Sequence, residues 1–118
     1  MAMCFYRDTL RLPIDKEWHT AEGKGVVFLA GQATLEIVDV AGGESIDLTE
    51  VGRVMGERVR LAMRVEDVDG VQTELTAAGA ELLGVPIATP WGGRNARVRT
   101  PDEIQLTPFR HLDEEGRR

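Results

Sequence analysis

Apolar and polar positions along the chain alternate at two different periods, and the order of those periods comes almost completely twice. Residues 58–65 set Val59, Leu61, Met63 and Val65 against Arg58, Arg60, Ala62 and Arg64. That two-residue period predicts a strand with unlike faces, one packed on a core and the other more polar. Asp67 then stands where a helix wants its cap, ahead of Val68, Val71, Leu75 and Ala78 at helical spacing, and Gly79 supplies a left-handed stop. Further strands are predicted at 81–88, 95–99 and 104–109. The turns between them carry Pro90-Trp91-Gly92-Gly93 and Thr100-Pro101-Asp102-Glu103, where proline pre-sets the bend and withholds a ladder donor. This half therefore runs strand, helix, strand, strand, strand.

The first half opens in the equivalent helix, because Ala2, Phe5, Tyr6, Thr9 and Leu10 fall on one helical stripe that Pro13 stops. A strand is predicted at 15–20. Strands at 25–30 and 33–40 are joined by Gly31-Gln32, with glycine where a primed hairpin turn needs it. No strand precedes the helix, so the strand carrying Glu36 is expected to have an unpaired edge, covered by a second chain or by sequence from a natural start upstream of Met1. Residues 41–57, acidic and glycine-containing, are expected to be a linker with a short helix around 47–51. The charged residues 113–118 fit a frayed, solvated end.

Composition narrows the class. A chain of 118 residues suits one domain with a modest core, and its few aromatics leave that core to Leu, Val, Ile and Ala. Cys4 is the only cysteine, so no internal disulfide forms. No segment has the layout of a signal peptide, and no apolar run reaches the roughly 20 residues of a membrane span. A cytoplasmic address is expected. The net charge of −6 and pI near 4.9 argue against nucleic-acid and membrane partners.

Several motifs, in order and spacing, resemble one family. Phe5-Tyr6-Arg7-Asp8-Thr9-Leu10 is similar to the helix end of the vicinal-oxygen-chelate superfamily, which includes glyoxalase I, bleomycin-resistance proteins and extradiol dioxygenases. The resemblance continues through Thr34-Leu35-Glu36-Ile37, Val65-Glu66-Asp67-Val68-Asp69, Ala77-Ala78-Gly79-Ala80, Pro90-Trp91-Gly92 and Thr100-Pro101-Asp102-Glu103-Ile104-Gln105-Leu106. It implies an α+β fold of paired βαβββ modules curled around a cleft, usually in a symmetric dimer. The expected layout is one such domain over 1–118: a first module at 1–40 lacking its opening strand, a linker at 41–57, a second module at 58–112 and a tail at 113–118. The fold does not settle the reaction, since sites rather than folds carry function.

Metal enzymes of that superfamily usually take ligands from the first and last strands of each module. Here the resemblance puts Glu36 at one such position, Arg60 at the second and Gln105 at the third, while the strand for the fourth is absent. A guanidinium has no free lone pair for a cation. Arg60 is therefore a candidate to stand where the metal would be, held by Glu36 or meeting an anionic ligand, with Gln105 orienting it. Planar guanidinium recognition suits carboxylates and enolates. The plainer reading makes Arg58, Arg60 and Arg64 the solvated face of a strand. If a metal is bound after all, Glu36, Gln105 and His19 are the candidate ligands.

Other candidates are single residues. His19 and His111 lack spaced partners, Cys4 has no neighbouring histidine or nucleophile motif, and Trp18 and Trp91 either stack on a planar ligand or pack loops onto a sheet. There is no phosphate-binding glycine loop, serine elbow or close His or Cys pair. Two function classes follow. One is metal-free, cofactor-free capture of a small organic molecule in a homodimer cleft, as in bleomycin-resistance proteins, with the acidic surface favouring a cationic guest. The other is a metal-dependent lyase, isomerase or dioxygenase of the glyoxalase type. A catalytically silent subunit completing another chain's site is a third reading.

Overall fold

The protein is described from a computed structural model that covers residues 5–112. Cys4, Ala2 and the charged stretch 113–118 lie outside the described residues. The chain divides into two compact units, Met1–Ile46 and Asp47–Arg118, each with its own sheet. No helix among the described residues is long and apolar enough to cross a membrane.

In the first unit, the predicted helix is a wide π turn at Phe5–Thr9. Leu10 N donates to Phe5 O and Leu12 N to Tyr6 O, both at 3.0 Å, and Arg11 takes a positive φ of 59°. The turn ends because Pro13 disfavours helical backbone at Leu12. Three antiparallel strands follow: β1 (Ile14–Thr20), β2 (Gly23–Ala30) and β3 (Ala33–Val38), with β2 in the centre. The predicted hairpin forms, Ala30 pairing with Ala33 around Gly31-Gln32. Val26, Val27 and Phe28 are buried on β2, and the Tyr6 ring lies 6.1 Å from that of Phe28. The π turn thus packs on the sheet face of Val26 and Phe28. On the other face, a Cβ added to Gly25 would stand 2.2 Å from Trp18 Cζ2, so the indole covers the bare backbone. Among the described residues β3 pairs only with β2, which leaves the expected open edge.

The stretch expected to be a linker is mostly helical. Helix α1 spans Val40–Glu50, longer than the short helix expected around 47–51, and the preceding strand stops at Val38 instead of 40. Asp39 causes both changes: its side chain accepts from Gly42 N at 2.8 Å and Lys24 N at 3.0 Å, capping the helix where the ladder ends. Those bonds also hold the Asp39 carboxyl below the usual carboxylate range, the Gly42 bond most of all. Gly42-Gly43 has poor helix propensity, which concealed the helix in the sequence.

The second unit is one complete βαβββ module. Strands β4 (Leu61–Arg64), β5 (Glu81–Ala88), β6 (Gly93–Arg99) and β7 (Gln105–His111) form a sheet in the order β4-β7-β6-β5, with β4 parallel to β7 and the other pairs antiparallel. Helix α2 (Val68–Ala77) begins as predicted at Asp67, whose side chain accepts from Gly70 N at 3.0 Å, and it packs over β5, β6 and β7. Val68, Ala96 and Val98 form the buried apolar layer between helix and sheet. Arg94 ties the layers together with two bonds to Asp69, at 2.7 and 2.8 Å. The strand predicted at 58–65 is shorter, and Leu61 and Met63 are 52% and 42% exposed, not core. Among the described residues it is an edge strand paired with β7 alone, and all four of its residues are exposed.

Candidate functional site

The face of the second sheet turned away from α2 is polar and buried. Period-2 alternation sends Arg94, Ala96 and Val98 of β6 toward the helix, and Asn95, Arg97 and Arg99 to the opposite side. The pairs Asn95↔Phe109 and Arg99↔Gln105 fix the register with β7 and bracket Arg97 and Thr107 as facing positions. Covering this face are the last turn of α1 and the residues that follow it. β5 admits α1 closely, since a Cβ on Gly84 would lie 2.2 Å from the Glu50 carbonyl oxygen.

Arg97 is the centre, at 0% exposure. Its Nη1 donates to Asp47 Oδ1 at 2.6 Å and to Gln105 Oε1 at 2.9 Å, while Nη2 donates to Glu50 Oε1 at 2.7 Å. Glu50 also accepts from Asn95 Nδ2 at 2.7 Å and from Arg60 Nη1 at 3.4 Å. Further out, Glu57 accepts from Gln105 Nε2 at 2.6 Å and Arg99 Nη1 at 2.7 Å. Three guanidiniums, Arg60, Arg97 and Arg99, thus meet three carboxylates, Asp47, Glu50 and Glu57. Such pairing is what makes a fully buried charge tolerable. Two buried polar atoms have no partner among the described residues: Arg97 Nε and Thr107 Oγ1, from the facing positions.

The network sets the local ionisation. Burial pushes the Asp47 carboxyl up, but the bonds from Arg97 and from Met55 N–H, the latter 2.9 Å long, outweigh it and leave the group below its usual range. Glu57 is lowered chiefly by the Arg99 hydrogen bond and then by Gln105, and Arg99 is raised in turn by Glu57.

Of the residues singled out in the sequence, Gln105 and Arg60 meet here, Arg60 on Glu50. Glu36 lies in the first unit on β3, opposite Val27, on the same sheet face as Trp18. His19 pairs with Lys24 and so points to the other face. Glu36 and His19, two of the three ligands expected if a metal is bound, thus lie on opposite faces of this sheet within one chain. Trp91 is 51% exposed on the turn before β6. His111 stands edge-on to Phe109 with ring centroids 5.3 Å apart.

The donor set around Gln105 does not fit the metal that the resemblance implies. Gln105 Oε1 is engaged by a guanidinium, Arg60 cannot coordinate, and no group of three or more His, Cys, Asp or Glu among the described residues is arranged to hold an ion.

Asp47, Glu50, Glu57, Asn95 and Arg97 were missed by sequence reasoning. The available signal was the polar alternation Asn95, Arg97, Arg99 opposite two acids three residues apart, and it becomes visible only once strand register is known.

A sequence model described as the Glyoxalase/Bleomycin resistance protein/Dioxygenase superfamily matches residues 1–107. Among solved structures, a hypothetical protein from Bacillus halodurans C-125 is similar with a TM-score of 0.70 and 15% identity, over 96% of this chain and 86% of that one. A glyoxalase/bleomycin resistance protein/dioxygenase from Nocardioides matches at 18% identity over 95% of this chain and 75% of that one, with a TM-score of 0.44. A superfamily member from Sphaerobacter thermophilus matches at 22% identity over 93% and 86%, with a TM-score of 0.42. No curated protein matches the chain.

Proposed function

The chain belongs to the glyoxalase/bleomycin resistance protein/dioxygenase superfamily, and from that premise we propose that it binds a small organic molecule without a metal, on the sheet face that carries Gln105. One observation carries this reading. Gln105, where the resemblance would place a metal ligand, spends its carbonyl on Arg97 and its amide nitrogen on Glu57. A face of guanidinium and amide donors suits the oxygen atoms of an organic guest, not a cation.

The binding form is proposed to be a cytoplasmic homodimer. The support is that, among the described residues, β3 pairs with β2 alone, so a second copy could add to its other side. Sedimentation velocity across a wide concentration range should show a dimer, and a persistent monomer would remove that part of the proposal.

Elemental analysis of protein purified without chelator tests the metal-free reading. The expected result is no stoichiometric divalent ion, with a melting temperature indifferent to EDTA and to added zinc. An ion near one per chain, whose removal lowers the melting temperature, would overturn it.

A further inference from the structure

Asp47 and Glu50 lie three residues apart near the end of α1, close enough to project on one side of it. They grip a single guanidinium from both ends, one carboxylate on each terminal nitrogen of Arg97. Glu50 takes the Asn95 amide with its second oxygen. Every one of those donors comes from the sheet, and both acceptors come from the turn that covers it. Such a receptor matches a molecule with two carboxylates a short chain apart, which α1 presents as side chains.

Two further features separate this arrangement from a finished structural network. Buried polar groups in a settled interior are normally all satisfied, yet Arg97 Nε and Thr107 Oγ1 are buried at facing positions with no partner among the described residues. The sheet thus offers more donors than the cover uses. The cover itself is weakly anchored by apolar burial: Leu48 is 56% exposed and Val54 48%. Its side-chain bonds to the sheet run through the carboxylates of Asp47, Glu50 and Glu57, the groups whose place a competing carboxylate could take.

We infer that the β6–β7 face centred on Arg97 is a binding site for a short aliphatic dicarboxylate, kept closed by Asp47 and Glu50 of the same chain and opened by exchange of those carboxylates for the ligand's. The inference rests on the proposed metal-free binding and names its ligand class. The exchange conserves buried charge, since two carboxylates replace two. Asp47 and Glu50 move into water, where an ion is well solvated. The closed state competes with the ligand, so apparent affinity scales with the open fraction.

The test uses the full chain, with succinate as probe, titration calorimetry for binding and hydrogen–deuterium exchange for the cover. Succinate should bind and speed amide exchange in residues 47–57, acetate should bind at least about tenfold more weakly, and putrescine should not bind. Glu57→Gln loosens the cover at its periphery without leaving Arg97 unpaired, and should tighten succinate binding by roughly threefold to tenfold. Circular dichroism confirms that this variant is folded. Succinate binding with unchanged exchange in 47–57 would overturn the closing role. No succinate binding to either protein would overturn the dicarboxylate site, and if a neutral or cationic molecule then binds metal-free protein, the broader function stands without it. A stoichiometric metal would instead remove the functional premise.

Discussion

Arg97 and Glu50 are joined at 2.7 Å across 47 positions of sequence, and both side chains are almost completely withdrawn from solvent. Removing one member strands the charge of the other. Arg97→Met should therefore lower unfolding free energy by about 3–5 kcal/mol, the range for breaking a buried pair, measured by urea denaturation. Adding Asp47→Leu and Glu50→Leu to the same chain should recover much of the loss. A loss below about 1 kcal/mol in the single variant would contradict a buried, paired Arg97.

Acid should weaken the second unit for a definable reason. Asp47, Glu57 and Asp69 all have folded-state pKa values below the ordinary carboxylate values, Asp69 mainly through its Arg94 bond. Depressed carboxylates contribute stability that is full above their unfolded pKa, near 4, and is lost as pH falls through the lower folded value. Stability should vary little from these groups at neutral pH and drop below about pH 4. Asp69→Asn should make the acid limb shallower. Urea titrations at several pH values, comparing slopes below pH 5, check it.

Trp18 covers Gly25, and any side chain there meets the indole at once. Gly25→Ala should displace the ring and cost roughly 1–3 kcal/mol, as overpacking does. In a Trp91→Phe background, the remaining emission should shift to the red. Unchanged emission would mean that the ring does not rest on Gly25.

Asp67 closes the first turn of α2 through Gly70 N. Asp67→Ala should cost about 1 kcal/mol, read as a lower thermal midpoint. Asp67→Asn should retain most of the stability, because the amide oxygen still accepts that bond.

What the sequence made visible follows from how locally each element is encoded. The 33–38 hairpin partner declares itself through Gly31-Gln32, and α2 through Asp67 and its apolar stripe, because cap, turn and stripe lie within a few residues. α1 was harder to see, since Gly42-Gly43 weakens its propensity while its support comes from Asp39 and from a distant guanidinium. Arg97 was invisible for a related reason. Alternation shows that a strand has two faces, but not what lies against either, so nothing local marks Asn95, Arg97 and Arg99 as a buried row. The error at Leu61 and Met63 is the mirror image, apolar residues on a strand whose place at the sheet edge is decided by the order β4-β7-β6-β5.

Gly84 is buried on β5, yet Leu82 two positions before it and Val85 directly after it are exposed, so its place in the strand gives little sign of a constraint. Yet the Glu50 carbonyl rests against its bare α-carbon, so even a methyl group would wedge the helix end off the strand. A saturation library should therefore show a sharp, isolated intolerance at 84, flanked by permissive sites, tracing from genetics alone where the chain is pressed against itself.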